Sequence, residues 1–259
     1  MKEINAIITI AFRDVVKLLR DRTRILASFI FPFIFIGALG GSLQANLGSS
    51  AGFNFLEFVF TGVLAQTLFQ STASGIISLI EDRENDFSQE IFVSPISRYS
   101  IILGKILGES LVASINVLGV LAFGLILGIH LSLLQFVSII PVILVACLLG
   151  GAFGVLVLSQ LSSQRAANQI FPFIMFPQFF LSGAFAPVKH LPWYLFILSR
   201  IAPMTYAVDF ARGIIYWGTK DYSKVIIYPP LFDLLIIGAM FVTMLFIGTF
   251  FFVRNEHNK

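Results

Sequence analysis

The chain has 259 residues, 57% of them hydrophobic and 12% charged. Its charge content is about half the roughly 25% of a soluble domain. With 29 Phe and a mean hydropathy of +0.91, this excludes an ordinary water-soluble globule, a disordered chain and a disulfide scaffold. The net charge of +3 does not indicate nucleic acid, because the basic residues cluster beside apolar runs, a pattern of membrane topology.

Residues 1–24 carry Ile4, Ile7, Ile8, Ala11, Phe12, Val15 and Leu19 at three- and four-residue spacing, with Asn5, Thr9, Arg13, Lys17 and Arg20 off that stripe. The spacing predicts an amphipathic helix lying in the membrane interface, apolar face in lipid and basic face toward anionic headgroups. A spanning helix needs about 20 mostly apolar residues. Stretches free of Asp, Glu, Lys and Arg cover 25–56, 58–80, 110–164, 166–188 and 234–253, the third long enough for two helices. They predict an all-α membrane protein, one domain over 1–259, with six spans near 25–46, 54–80, 101–129, 135–158, 166–187 and 231–253. The short alternating segments of a membrane barrel are absent. Gly37/Gly41, Gly104/Gly108, Gly124/Gly128 and Gly150/Gly154 have the spacing that lets helices approach closely. Pro172 and Pro177 predict a kink in the fifth span.

With a cytoplasmic N-terminus, twelve of the 17 Lys and Arg fall inside, and the five outside all lie within 188–230, a long segment that weighs less. Both termini of this multi-pass protein are therefore expected on the cytoplasmic side of the cell membrane. The basic N-region is too long for a signal peptide, and no small-residue cleavage site follows it.

Between spans two and three, residues 81–98 hold Glu81, Asp82, Arg83, Glu84, Asp86 and Glu90, with Phe87 and Ile91 one turn apart and Pro95 as a stop. A short helix with one acidic and one apolar side is a docking element for a cytoplasmic partner; a solvated charged loop is the alternative. Residues 188–230 are too apolar for a free loop, and Pro187, Pro192, Pro203, Pro229 and Pro230 interrupt the region. Trp193, Tyr194, Tyr206, Tyr216 and Trp217 suit an interfacial belt. This region predicts short half-helices dipping into the outer leaflet under protein cover.

No catalytic constellation is present. Gly104-Lys105 is followed by Ile106 and has no P-loop spacing. His130, His190 and His257 are far apart without an HExxH, so no metal site is expected. Glu57, Glu109 and Asp233 are the only acids in or beside spans, either interfacial carboxylates or a proton relay. Gln66, Gln70, Asn116, Gln169 and Gln178 either join helices or line a pathway.

Over nearly its whole length the chain resembles the permease subunit of ABC type-two exporters, in the drug-resistance, daunorubicin-exporter-like branch. One carrier of the resemblance is "EDRENDFSQEIFVSPISRYSIILGK", with Ser94-Pro95, Arg98 and Gly104-Lys105. The other is "FLSGAFAPVKHLPWYLFILSRIAPMTYAVDFAR", Phe180 to Arg212, with Ser182-Gly183, Pro187, Leu191-Pro192, Pro203, Thr205-Tyr206 and Asp209. Two departures stand out. Asp86-Phe87 replaces the usual Gly-Thr of the cytoplasmic segment, and "LLRDRTRILASFIFP" lacks the Tyr/Arg-rich pattern of the polysaccharide branch.

The resemblance implies two permeases, a homodimer or a pair with a close paralogue, with two separate ATPase subunits that hold the Mg-ATP. It implies no cofactor, nucleotide site or nucleic-acid partner on this chain. Residues 81–95 would be the coupling helix seated in an ATPase cleft, carrying Glu81, Asp82, Arg83, Glu84, Asp86, Phe87, Glu90, Ile91 and Pro95. Residues 1–24 would form an elbow against the ATPase and membrane lipids. Residues 188–230 would cap the exit, with Pro192, Trp193, Pro203, Tyr206 and Asp209. ATP-driven closure of the ATPases would turn the spans from inward-open to outward-open. The cargo expected is a hydrophobic or amphipathic drug, natural product or lipid-like compound, passing Gln66, Phe69, Gln70, Phe173, Phe176 and Gln178. The alternatives are a lipid-linked polysaccharide moved the same way, an ion-coupled carrier using Glu57, Glu109 or Asp233, and a membrane anchor that moves nothing.

Overall fold

The computed structural model describes residues 2–84, 96–161 and 163–257. Every regular element among the described residues is helical. Helix α1 (Lys2–Arg20) is amphipathic, as its spacing predicts, but its apolar side divides in two. Ile4, Ile8, Phe12 and Leu19 are exposed, while Ala11, Leu18 and an acid, Asp14, are buried against helix α6 (Arg98–Ile126).

Asp21 caps the next helix by accepting from the Arg24 N–H (2.9 Å). Three pieces then run on continuously: α2 (Arg22–Phe33), a π-helical stretch Ile34–Gly40, and α3 (Gly41–Ala51). Proline cannot complete the helical hydrogen-bond ladder, and the turns after Pro32 widen. Asn54 caps α4 (Phe55–Gly75), which breaks at Ile76 and resumes as α5 (Ile77–Glu84). After α6, Ser132 and Gln135 form a reciprocal capping box that opens α7 (Leu133–Leu158). Then follow α8 (Gln164–Leu181), a 3₁₀ turn Val188–His190, α9 (Trp193–Ile201), α10 (Pro203–Ile215), α11 (Tyr222–Val225) and α12 (Pro230–His257).

Among the described residues five stretches are long and apolar enough to cross a membrane: Arg22–Gly48, Phe55–Asp82, Tyr99–Ile126, Leu133–Leu158 and Tyr222–Phe252. The sixth expected span, 166–187, corresponds to α8 and is not among them. Its 18 residues open on Gln164, Arg165, Asn168 and Gln169, and it ends at Leu181, before Gly183 takes φ of 77° and turns the chain. The expected coupling residues Asp86, Phe87, Glu90, Ile91 and Pro95 lie outside the described residues.

Helix α7 is the hub and packs on α4, α6, α10 and α12. Two of the expected small-residue pairs explain the closest seams. A Cβ at Gly150 would meet the Phe69 carbonyl, and one at Gly154 would stand 2.5 Å from the Ala73 carbonyl oxygen, so α7 lies almost backbone to backbone on α4. A Cβ at Gly104 would be 3.1 Å from Ile7 Cα, and at Gly108 2.9 Å from Ala11 Cα, which seats α1 on α6 in the same way. In the other two pairs one member each meets only a side chain, Gly124 making room for the Phe60 ring and Gly37 touching Phe123, while Gly41 and Gly128 face open space.

The region expected as an outer cap divides sharply. Helix α9 exposes Trp193, Tyr194, Ile197 and Ile201. Helix α10 is buried along nearly its whole length, wedged among α4, α7 and α12. Pro203 begins it, at the position where a helix loses nothing by lacking an N–H.

Gly154→Val is expected to destabilise the bundle by about 1–3 kcal/mol through overpacking against α4. Gly238→Ala, which adds a methyl group in open space, is expected to change little. Thermal unfolding of the purified protein in detergent, followed by monodisperse elution, compares the two; equal midpoints would contradict this packing.

Candidate functional site

The α1–α6 seam carries charge inside it. Lys105 is 1% exposed, and its Nζ lies 2.8 Å from Asp14 Oδ1 on α1 and 3.3 Å from Glu109 Oε1 one turn along α6. Arg24 at the start of α2 reaches Glu109 Oε2 at 3.5 Å. Gly75, at the end of α4, leaves the room this carboxylate occupies, since a Cβ there would collide with it. Buried ions persist only when each is compensated, and this chain of alternating charges compensates them across α1, α2 and α6.

The same helix α1 grips the segment between α5 and α6 at both of its ends. On one side Arg13 pairs with Asp82, and Lys17 Nζ lies 3.4 Å from the other Asp82 oxygen. On the other side the Glu3 carboxylate accepts the N–H of Ser97, the residue that caps α6, at 3.1 and 3.3 Å. The Ser100 hydroxyl, with the Ser97 N–H, holds the Glu3 carboxyl below its ordinary range. Glu81 and Asp82 thus stand in the last turn and a half of α5, which Asp82 ties to α1. Arg83 and Glu84 close α5.

Above this cluster lies a groove of about 230 Å³ between α2, α4 and α6. Arg24, Ser28, Gln70, Ser71, Ser74 and Asn116 supply its polar wall. Asn116 ties the three helices together: its Oδ1 accepts from Ser28 Oγ (3.2 Å) and its Nδ2 donates to Ser71 Oγ (3.1 Å).

The six residues expected along a cargo path do not converge within one chain. Gln66 and Phe69 are buried, Phe69 against Phe153 of α7 at 5.5 Å between ring centres. Gln70 faces the groove. Gln178 is buried with its Nε2 3.9 Å from Met175 Sδ. Phe173 and Phe176, 81% and 61% exposed, point away from the bundle on α8.

At the opposite end, Asp209 of α10 accepts the N–H groups of Ile227 and Tyr228, both at 2.7 Å, and so fixes the approach to α12. Burial raises the Asp209 carboxyl above its ordinary range. Arg212 donates to the carbonyls of Phe58 and Ala184, both at 3.1 Å, and lies over the Phe58 ring. Burial pulls Arg212 down to about 10, which leaves it a cation at neutral pH. The Tyr206 hydroxyl donates to the Arg200 carbonyl (2.8 Å). Pro192 precedes α9, and its neighbour Trp193 is exposed. The three candidate relay acids sit on separate elements. Glu109 belongs to the α1 cluster, and Glu57 takes a hydrogen bond from Asn54 in the first turn of α4. Asp233 is buried at the start of α12 with no ion pair among the described residues. Among the described residues no group of three or more His, Cys, Asp or Glu could hold a metal.

Sequence reasoning passed over Asp14 and Lys105 as site residues. A signal was available: Asp14 stands three residues after Ala11 and seven after Ile7, on the seam, and Lys105 and Glu109 form an i,i+4 pair inside a span.

Residues 5–216 match the sequence pattern of the ABC-2 type transporter family. The chain is 24% identical over 239 residues to a protein of Cyanophora paradoxa named as a transport permease, ycf38, covering 89% of this chain and 81% of that protein. It is 30% identical over 168 residues to a protein of Escherichia coli (strain K12) named as a multidrug ABC transporter permease, YbhR, covering 63% of this chain but only 44% of YbhR. Nodulation protein J of Rhizobium meliloti (strain 1021) is 25% identical over 196 residues, 73% of each chain.

Lys105→Met removes the ammonium that bridges Asp14 and Glu109 and leaves them only the 3.5 Å contacts of Arg13 and Arg24, and it is expected to cost about 3 kcal/mol. Asp14→Asn added to it should recover part of the loss. Lys224→Ala breaks an ion pair to Asp221 that is open to solvent, with an expected change under about 1 kcal/mol. Denaturation midpoints in detergent rank the three; an unchanged midpoint for Lys105→Met would refute a compensated buried cluster.

Proposed function

The chain belongs to the ABC-2 type transporter family, and we propose that it is the membrane-spanning subunit of an ATP-driven exporter of hydrophobic or amphipathic compounds. Two such subunits, identical or closely paralogous, work with two separate ATPase chains that bind the Mg-ATP. The observation that carries this reading is that the described residues on both flanks of 85–95 contact α1, Asp82 on one side and Ser97 on the other. A force applied to that segment by an ATPase reaches α1, and through Lys105 it reaches α6. Residues 81–95 act as the coupling helix in this scheme and α1 as its elbow. The name of YbhR supports a drug-like cargo.

Six crossings fit the arrangement. Helix α8 packs on α5 at the α1 end of the bundle and on α9 and α10 at the other, and 18 residues span about 27 Å at 1.5 Å each, close to the roughly 30 Å hydrocarbon core. Helix α12 starts beside α10, where Pro230 crowds Gly213, and later passes Leu156 near the end of α7. Both termini then lie on one side, which the Lys and Arg distribution makes cytoplasmic. The exposed faces of α8 and α2, with Phe173, Phe176, Leu26 and Ile30, are assigned to lipid and to the second permease, with the cargo path between the two copies.

Two measurements test this. In a Cys147→Ser background, Asn85→Cys should label from the cytoplasm and Asp221→Cys from outside; the reverse would overturn the topology. Co-purification with the ATPase encoded nearby should give a stable complex whose hydrolysis responds to hydrophobic drugs. Glu84→Ala/Phe87→Ala should weaken or uncouple it by about tenfold, the scale of one to two lost charged or apolar contacts. If no ATPase associates, an ion-coupled carrier or an inert anchor becomes the better reading.

A further inference from the structure

We infer that the groove between α2, α4 and α6 binds the anionic headgroup of an amphiphile, a phosphate or carboxylate, with Arg24 as its charge partner. The inference rests on the exporter reading for its context and adds the cargo chemistry.

The groove lies beside helices whose other surfaces are apolar, and polar groups facing a bilayer without partners are costly. Two groups there have bonding capacity left over. Arg24, with a side chain 43% exposed, makes one contact to Glu109, at 3.5 Å, longer than the roughly 2.7–2.9 Å of a well-formed charge-assisted bond. A guanidinium carries five N–H donors, so most of its capacity is unspent. The half-buried Gln70 amide makes no hydrogen bond among the described residues, and its donors and acceptor face the same space.

The charges around the groove decide the sign of the ligand. Behind Arg24 stand Glu109 and Lys105 on α6 and Asp14 on α1, with side chains 1–2% exposed. Lys105 contacts both acids, so no free carboxylate faces the opening and a cationic headgroup finds no partner. Thr67 Oγ1 and Ser74 Oγ donate to backbone carbonyls of their own helices, and their lone pairs suit the hydroxyl or N–H groups of a head. The volume of about 230 Å³ falls below the roughly 300–1,000 Å³ that encloses a drug-sized ligand. The groove therefore holds a head while the tail lies outside it, starting at Ala27 and Phe31.

The test uses the full-length permease in phosphatidylcholine nanodiscs, with empty nanodiscs as the partition blank. Radiolabelled dodecyl phosphate is the probe, and dodecyltrimethylammonium and inorganic phosphate are competitors. Saturable binding of dodecyl phosphate is expected, weakened about tenfold or more in Arg24→Gln and within about threefold of wild type in Arg24→Lys, as expected for a charge-assisted contact. Neither competitor should displace it at matched concentration. No saturable binding, an unaltered affinity in Arg24→Gln, or equal displacement by the cationic amphiphile overturns the site. Displacement by inorganic phosphate at similar concentration overturns the amphiphile in favour of a free anion. The binding needs no ATPase, so Arg24-dependent binding by a permease that recruits no ATPase sustains the site while the exporter reading fails.

Discussion

The rest of the structure depends on an ammonium group sealed between two carboxylates. Lys105 sits at the contact of α1 and α6 with Asp14 on one side and Glu109 on the other. None of the three would remain ionised in an apolar interior alone. Their mutual compensation fixes the register of α1 on α6 within one turn, because sliding either helix would leave a charge without its opposite. Such a contact also resists gradual deformation. Helix α1 either moves with α6 or breaks away from it, and this makes the pair suitable for passing on a displacement.

That property acquires a purpose from what α1 holds at its flanks. Arg13 and Lys17 reach the end of α5, and Glu3 reaches the start of α6. The Arg13–Asp82 pair is partly buried and the Glu3–Ser97 hydrogen bond is exposed, and the two lie at the borders of one segment. The Lys105 cluster is sealed from solvent, whereas the contacts of Asp82 and Ser97 to α1 are partly open to it.

The other rigid joint is steric. Gly150 and Gly154 bring α7 against the α4 backbone, and buried α10 fills the wedge beside them. Between helices in lipid the hydrophobic effect does little, and close backbone packing takes its place. Helices α4, α6, α7 and α10 therefore form the firm part of the subunit, whereas α2, α8 and much of α12 leave broad apolar faces open. The polar groove falls at the border of the two parts, with α2 as its loose wall. A conformational change that shifts α2 would open or close the space around Arg24.

Much of this was legible in the residues themselves. Charge-free runs locate the long helices, since about 20 apolar residues have one stable setting, a bilayer. The stripe in residues 1–24 shows an amphipathic helix, and the two motifs at 81–105 and 180–212 carry the resemblance to the family. Glycine spacing marks four possible close approaches. What the sequence could not decide is which of these pairs meets a neighbouring backbone: Gly104/Gly108 and Gly150/Gly154 do, while Gly37 and Gly124 meet only side chains and Gly41 and Gly128 face open space. It could not show that the outer segment splits into an exposed α9 and a buried α10, because both are apolar enough for either place. Nor could it assign Asp14 to Lys105, Arg13 to Asp82, or Asn116 to both Ser28 and Ser71. Hydropathy is a property of one stretch of chain, and periodicity a property of one helix. A charge pair or a groove belongs to several helices at once, and only their packing against one another brings it into existence.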